Sequence, residues 1–118
     1  MMLALLLACS SGQDDSAVSC DREPALTFEN FGSAFLATHC TGCHSVLHTG
    51  NLREGAPEGI DLNTYADVLL WANRIEARAL ESVDMPPGGG PSQDERNLLE
   101  EWLYCGIYPD IETLEGAE

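Results

Sequence analysis

The segment CTGCHSVLHTG, residues 40–50, holds two cysteines and two histidines in a spacing that suits a metal or redox site. Cys40 and Cys43 stand three positions apart, so both thiols can lie on one helical turn and reach the two vinyl carbons on one edge of a porphyrin. The next residue, His44, would then lie under the iron. This Cys-x-x-Cys-His spacing predicts covalent attachment of one haem c through Cys40 and Cys43, with His44 as the proximal iron ligand.

Two other chemistries use the same types of residue. A thioredoxin-like thiol pair needs both cysteines, but it gives no reason for His44, and its usual setting is a βαβ unit. A zinc site can combine both cysteines with His44 or His48, but it needs a fourth ligand. The only further histidine is His39, directly beside Cys40. Haem attachment is therefore the favoured interpretation, and the zinc site and the bare thiol pair are its alternatives.

Met85 is the candidate for a second, distal iron ligand. If Met1 and Met2 leave with a signal peptide, Met85 is the only methionine in the mature chain. Pro86 and Pro87 restrict the backbone behind it, and the glycines beyond them let the loop lie against a flat ring. The alternative role is that of a gap-filling core methionine. We predict the ligand role, which a thioether fills in haem proteins with mixed His and Met ligation.

The apolar pattern predicts two helices in the first two thirds of the chain. From Phe28 to Leu36, apolar residues recur every three or four positions, and this helix runs directly into Cys40. A second helix is expected behind a cap at Asn63 or Thr64. Its predicted inner face consists of Tyr65, Val68, Leu69, Ala72, Ile75, Ala79 and Val83.

A third helix is predicted in the last part of the chain. Ser92, with Glu95 three residues later, has the sequence of a capping box, and leucines and Trp102 supply the apolar face behind it. Gly106 and Pro109 are expected to end this helix. The sequence therefore predicts an all-α fold of three main helices. Their apolar surface is small, so a further group is expected to fill the core.

The composition excludes one class of function. The 118 residues suffice for one domain, and 20 acidic residues against 5 basic ones give a formal net charge of -15. Nucleic-acid binding needs clustered Lys and Arg, and so few basic residues cannot form such a patch. The acidity instead favours a partner protein with a basic docking surface. The alternative is a solvated acidic face with no docking role.

The first residues resemble the end of a bacterial lipoprotein signal, an apolar run that stops at Cys9. The run is far shorter than the ~20 residues that span a bilayer, so it cannot be a transmembrane helix. We expect residues 1–8 to be a signal peptide, residues 9–25 a flexible tether anchored to the membrane by a lipid on Cys9, and residues 26–118 the folded domain with a short acidic tail. The chain is thus expected to be exported, to the periplasmic side of a bacterial membrane or to the cell surface.

Three motifs follow one another in the chain, at residues 40–44 (CTGCH), 85–89 (MPPGG) and 94–103 (DERNLLEEWL). Together they resemble the class I c-type cytochromes, in the bacterial monohaem branch in which a Met-Pro-Pro segment precedes the last helix. The resemblance spans residues 28–106. It implies a small cytochrome c-like fold in which three main helices are wrapped around one covalently attached haem.

The resemblance further implies how the haem is held. In this family a proline carbonyl in the loop after the attachment site accepts a hydrogen bond from the ligand histidine, and Pro57 is the candidate to hold the ring of His44. The haem propionates are met by Arg, Trp or Tyr, and Arg53, Trp71 and Arg74 are candidates for that role. No motif fixes this assignment. The alternative is that both arginines are surface residues and Trp71 a core aromatic.

The family fold also brings the first and last helices together. Gly32 matches the small residue at their crossing, and Trp102 would be the facing contact. With Cys9 assigned to lipid and two cysteines to haem, Cys20 and Cys105 are the unassigned pair in an exported chain, where free thiols are unusual. The resemblance therefore implies a disulfide between Cys20 and Cys105. The alternative is that Cys20 pairs with another molecule or stays free.

The resemblance implies an electron carrier rather than an enzyme. With His44 and Met85 on the two axial positions, the iron has no open site for a substrate, and its oxidation state can change with little ligand movement. The implied partners are redox proteins. Two alternatives stay open: a small haem c enzyme or gas sensor, peroxidase-like, with a labile distal ligand, and an accessory cytochrome subunit of a membrane oxidoreductase.

Overall fold

The computed structural model describes residues 18–88 and 90–116. Within these ranges the chain forms three long helical segments, at residues 28–39, 65–81 and 93–116, one short 3-10 helix, Gly50–Arg53, and no strand. The predicted all-α class and the number of main helices are confirmed. The predicted signal peptide, the lipidated Cys9 and the first half of the predicted tether lie outside the described residues. No helix in the described part is long and apolar enough to cross a membrane.

The first helical segment ends at the predicted attachment motif. It begins with a π-helical turn, Phe28–Gly32, and continues as helix α1, Ser33–His39. Thr27 caps it, since the Thr27 hydroxyl accepts a hydrogen bond from the backbone N–H of Asn30, and the Asn30 side chain accepts one from the backbone N–H of Thr27. Cys40 follows α1 directly, as predicted. The helix therefore fixes where the first cysteine of the motif lies.

Helix α2, Tyr65–Ile75, begins behind Thr64 as predicted and continues through a π-helical stretch, Glu76–Glu81. Thr64 forms a capping box with Asp67. Its hydroxyl accepts a hydrogen bond from the backbone N–H of Asp67, and the Asp67 carboxylate accepts one from the backbone N–H of Thr64. Val68, one turn into the helix, is completely buried, so this face of α2 packs on the core.

Val83 is the one predicted inner-face residue of the second helix that lies outside it. Its side chain is 47% exposed, and its backbone has φ of 55°, in the left-handed region that a β-branched residue rarely adopts. The helix ends before Val83 because the backbone N–H groups of Asp84 and Met85 both turn back to the carbonyl oxygen of Arg78, at 3.0 and 3.1 Å. This turn directs the chain into the segment that contains Met85.

The third helical segment is longer than predicted. Helix α3, Gln93–Trp102, passes through a π-helical turn, Leu103–Ile107, into helix α4, Tyr108–Gly116. The prediction that Gly106 and Pro109 end this helix is therefore wrong. Pro109 is tolerated because it enters the first turn of α4, where the π-helical turn has already shifted the backbone hydrogen bonds and a missing N–H group costs little.

Tyrosine side chains attach the C-terminal part of this segment to the second helix. The hydroxyl of Tyr65 donates to the carboxylate of Asp110, and the hydroxyls of Tyr104 and Tyr108 both donate to the carboxylate of Glu76. Because the partners lie on different helical segments, these bonds stabilise the extension of the last helix beyond its predicted end.

Trp102 packs on Gly32 where the first and last helical segments cross. Trp102 is 1% exposed, and a Cβ atom added to Gly32 would lie 2.3 Å from its Cη2 atom. The ring of Phe31 meets the indole edge-on, with centroids 5.8 Å apart. The predicted contact is present, and it needs glycine. Among the residues that the structure describes, the other buried apolar ones are Phe35, Leu36, Leu62, Val68, Ala72, Ala79, Leu99, Leu103 and Ile107.

The arm before the first helix is held against the last helical segment. Cys20 and Cys105 form a disulfide with Cα atoms 5.6 Å apart, a normal separation. Arg22 donates through Nε and Nη2 to the carboxylate of Glu101, at 2.7 and 3.1 Å. The end of the predicted tether is therefore joined to the folded domain by one covalent bond and one ion pair.

Candidate functional site

A cavity of about 250 Å³ is lined by residues from all three helical segments and the loops between them. All eight residues predicted to bind the haem are among its lining residues. They come from three separate parts of the sequence: the attachment motif with its following loop, the second helix, and the segment after it. The fold therefore brings them to one place. They are Cys40, Cys43, His44, Arg53, Pro57, Trp71, Arg74 and Met85.

Two free thiols lie on the wall of this cavity. Cys40 and Cys43 are unpaired, and the backbone N–H of Cys43 bonds to the carbonyl of Cys40 at 3.2 Å, which keeps them on one turn. Burial raises the pKa of the Cys40 thiol to about 12, with a smaller contribution from Cys43. Burial and the carboxylate of Glu54 raise the pKa of Cys43. Both thiols stay protonated at neutral pH, which disfavours the thiolate chemistry of a bare redox pair.

The ring of His44 is held by a backbone carbonyl. Its Nδ1 atom lies 2.9 Å from the carbonyl oxygen of Ile60. Because a carbonyl oxygen can only accept, Nδ1 carries the proton, and Nε2 is the ring nitrogen with a lone pair for a metal. The backbone N–H of Leu62 bonds to the carbonyl of His44, also at 2.9 Å. The loop therefore fixes both the ring and the backbone of His44.

The acceptor for the His44 ring is Ile60 and not Pro57, so the role that the resemblance implied for Pro57 is corrected. The carbonyl oxygen of Pro57 accepts instead from the backbone N–H of Ile60, at 3.3 Å, and from Nη2 of Arg53, at 2.7 Å. Gly59 adopts φ of 91° in this turn, a value that glycine adopts without strain. The turn leaves the carbonyl of Ile60 facing His44.

Arg53 is buried inside the loop, so the alternative surface position does not hold for it, and its guanidinium is already engaged by residues of the loop. Its side chain is 2% exposed, and its Nη1 atom pairs with Asp61 at 2.9 Å. A buried guanidinium must be paired and hydrogen-bonded throughout, and the carbonyls of this glycine-containing loop need donors. Arg53 meets both requirements, since its other bonds go to the carbonyl oxygens of Ser45, His48, Ala56, Pro57 and Ile60.

Met85 lines the cavity from a segment whose backbone is held on both sides. Its N–H bonds to the carbonyl of Arg78 at 3.1 Å, and its carbonyl accepts from Nη1 of Arg96 at 3.3 Å. Arg96 is 4% exposed and also donates to the carbonyl of Ala79. Arg96 was not among the site residues predicted from the sequence, although its spacing indicates its position. It precedes the buried Leu99 by three residues and so lies on the inner face of α3.

Trp71 and Arg74 line the cavity from α2, Trp71 half-buried and Arg74 exposed. Arg78, on the next turn, pairs with Asp84 at 3.1 Å. Arg74 forms no ion pair with any residue that the structure describes. It is therefore a cationic group at the cavity that is available to an anionic group of a ligand.

The other two histidines do not complete a metal site. His39 lines the cavity, but its Nε2 atom lies 2.9 Å from the carboxylate of Glu95. That carboxylate also completes the predicted capping box with Ser92. His48 is not a lining residue of this cavity. Among residues 18–88 and 90–116, no group of three His, Cys, Asp or Glu side chains could hold a metal ion, so the zinc alternative gains no support there.

Comparisons with known proteins give no match. No protein-family model matches the chain. No curated protein and no solved structure matches it either.

Proposed function

We propose that this protein is a monohaem electron carrier in which Cys40 and Cys43 would hold haem c through thioether bonds, and His44 and Met85 would be the iron ligands. The observation that carries the proposal is that these four side chains, predicted from two separate motifs, line one cavity. The motifs lie on either side of α2 in the sequence, so their meeting is a property of the fold and not of sequence proximity.

The chemistry of the donor groups fits haem c. Two protonated, unpaired thiols are the groups that add to vinyl side chains, and Cys40 and Cys43 lie on one turn. His44 offers Nε2, since its Nδ1 proton is bonded to Ile60. Met85 offers the thioether of a His and Met pair. Each group that a haem c requires from the chain thus has a candidate at the cavity.

The haem, when bound, supplies a one-electron couple at its iron, and the chain supplies ligands, burial and orientation. The carbonyl of Ile60 fixes the ring plane of His44. Arg78 and Arg96 fix the backbone of Met85. Ligands held in this way need little rearrangement when the charge of the site changes, which suits electron transfer. If His44 and Met85 both hold the iron, no iron ligand position would be open to a substrate, which favours an electron carrier over an enzyme.

The propionate groups are best matched by Trp71 and Arg74. Both line the cavity, and Arg74 has no carboxylate partner among the described residues. A guanidinium binds a carboxylate with two parallel hydrogen bonds, and an indole N–H is a single donor. Arg53, the third candidate from the sequence, is engaged within its loop and is not part of this proposal.

Export and membrane attachment through Cys9 are part of the same proposal. The disulfide between Cys20 and Cys105 supports it, because disulfides persist in oxidising compartments such as the periplasm. The cell surface is the other location that this chemistry allows. A net charge of -15 supports a redox partner with a basic docking surface, since complementary charge steers association.

Covalent haem staining of a denaturing gel tests the attachment. The double variant Cys40→Ala/Cys43→Ala should lose all staining, because both thioether positions are gone. The double variant Cys20→Ala/Cys105→Ala is the matched control, since it also removes two cysteines, and it should keep the stain. Staining retained in the first variant would refute the attachment.

The visible spectrum of Met85→Ala tests the distal ligand. This variant should keep covalent haem but lose the methionine-to-iron band and become high-spin or water-ligated, because the thioether is absent. An unchanged low-spin spectrum with the methionine band present would show that Met85 is not the ligand.

A further inference from the structure

The carbonyl oxygen of Ile60 accepts two side-chain hydrogen bonds at once. Nδ1 of His44 lies 2.9 Å from it and Nη2 of Arg53 lies 3.0 Å from it. We propose that Arg53 is a positioning residue that acts on His44 through this shared oxygen and sets how strongly the imidazole donates electrons to the haem iron. The inference rests on the proposed haem ligation.

The environment of Arg53 makes it an effective competitor for the electron density of the Ile60 oxygen, and the two bonds to this oxygen are of similar length. The side chain is 2% exposed, and its ion-pair partner, Asp61, is 20% exposed. A hydrogen bond from an ionised donor is about twice as strong as one from a neutral donor, and solvent screening is weak in a buried site. Arg53 therefore withdraws electron density from this oxygen, and the bond that His44 donates to it is weaker than it would be without Arg53.

A weaker bond at Nδ1 changes the ligand strength of His44. A strong acceptor at the outer ring nitrogen raises the basicity of a metal-binding histidine, and hydrogen bonding around the ligands is one of the levers that set a haem potential. A less basic imidazole stabilises the reduced iron relative to the oxidised iron. Arg53 should therefore raise the reduction potential of the site.

Arg53 also fixes the position of the shared oxygen. Its guanidinium joins the carbonyls of Ser45 and His48, just after the attachment motif, to those of Ala56 and Pro57, on the far side of the loop. The ring of His44 is oriented by an oxygen in this same loop. Arg53 thus sets both the orientation of the His44 ring and its strength as an electron donor, although Arg53 would not itself touch the iron.

The substitution Arg53→Lys tests the inference in the holoprotein, because it keeps the charge but removes the planar fork that reaches Ile60. Covalent haem should be retained. The redox equilibrium should shift about fivefold toward the oxidised form, and in the reduced protein the Nδ1 proton of His44 should move downfield in the NMR spectrum. The matched control is Arg22→Lys, an arginine paired with Glu101 on the surface, which should change neither value.

An unchanged potential and an unchanged ring-proton resonance in Arg53→Lys would overturn the inference and leave the proposed function intact. Wild-type protein without covalent haem would instead overturn the proposed function.

Hydrogen exchange of wild-type holoprotein gives a second test that needs no variant to fold. The Nδ1 proton of His44 and the guanidinium protons of Arg53 should exchange with the same dependence on denaturant. Rapid exchange of the His44 proton while Arg53 stays protected would also overturn the inference.

Discussion

Replacing Gly32 with alanine should destabilise the protein, against the usual preference of helices for alanine. An added Cβ atom would lie 2.3 Å from Cη2 of Trp102 and 2.6 Å from Cζ2, whereas ordinary contact begins at 3.4 Å. The indole is rigid and 1% exposed, so it cannot swing away. Helix propensity favours alanine by about 1 kcal/mol, and overpacking costs about 1–3 kcal/mol. Because the added atom would overlap the ring this closely, the upper overpacking cost of about 3 kcal/mol applies. After the gain in helix propensity of about 1 kcal/mol is subtracted, we expect the free energy of unfolding to fall by about 2 kcal/mol.

Urea unfolding of the holoprotein, followed by circular dichroism, measures this loss. Ala37→Gly is a control for helix propensity, because Ala37 is exposed in α1, and it should cost about 1 kcal/mol. In a Trp102→Leu background, Gly32→Ala should cost less than it does alone, because the overlapping ring is gone. If Gly32→Ala is as stable as the wild type, the close crossing of the two helical segments is wrong.

Three further predictions concern pH, the contact between helices and the distal segment. Burial and Asp110 raise the pKa of Tyr65 to about 12, and Glu76 and burial raise that of Tyr104 to about 12. Burial and Glu76 also raise the pKa of Tyr108, the third tyrosine. An absorbance titration should therefore detect almost no tyrosinate near pH 10, and stability should fall between about pH 10 and 12, because unfolded tyrosines lose their protons first. Glu76→Gln should return the pKa of Tyr104 toward its usual value in the same titration and cost on the order of 1 kcal/mol in urea unfolding. Arg96→Met should make the methionine-to-iron band disappear at a lower temperature than in the wild type. Tyrosinate formed near pH 10 would contradict the first prediction. An unchanged pKa of Tyr104 in Glu76→Gln would contradict the second, and a band that disappears at the wild-type temperature in Arg96→Met would contradict the third.

Local sequence patterns were sufficient to predict where each of the three main helices begins. The spacing of apolar residues from Phe28 onward predicted the first helix and its end at Cys40. The capping boxes that begin at Thr64 and Ser92 mark where α2 and α3 start. Such signals are readable because each depends on residues within one or two turns of one another.

The C-terminal end of the fold could not be predicted in this way. Gly106 and Pro109 are local stop signals, but contacts distant in sequence outweigh them. Tyr104 and Tyr108 both donate hydrogen bonds to Glu76 on the second helical segment. These bonds stabilise the helix beyond its local stop signals. A residue pattern alone does not state which tyrosine meets which carboxylate.

In the candidate site, too, short motifs could be read from the sequence, whereas contacts that depend on the fold could not. The side chains of Cys40, His44 and Met85 could be named from short motifs, and the fold places them on one cavity. The carbonyl that holds the His44 ring could not be named, because every residue has a carbonyl and only the turn geometry selects that of Ile60. The bonds of Arg53 could not be predicted for a related reason: residue type does not distinguish an arginine that is free to meet a ligand from one that is bonded inside its loop.

Covalent haem is tested most sharply by a pyridine haemochrome spectrum of purified wild-type protein after acidified-solvent extraction of any unattached haem. We expect one haem per chain that resists extraction, with the spectrum of a haem joined by two thioether bonds, one each to Cys40 and Cys43. A chain without haem, or a haem that leaves with the solvent, would contradict it.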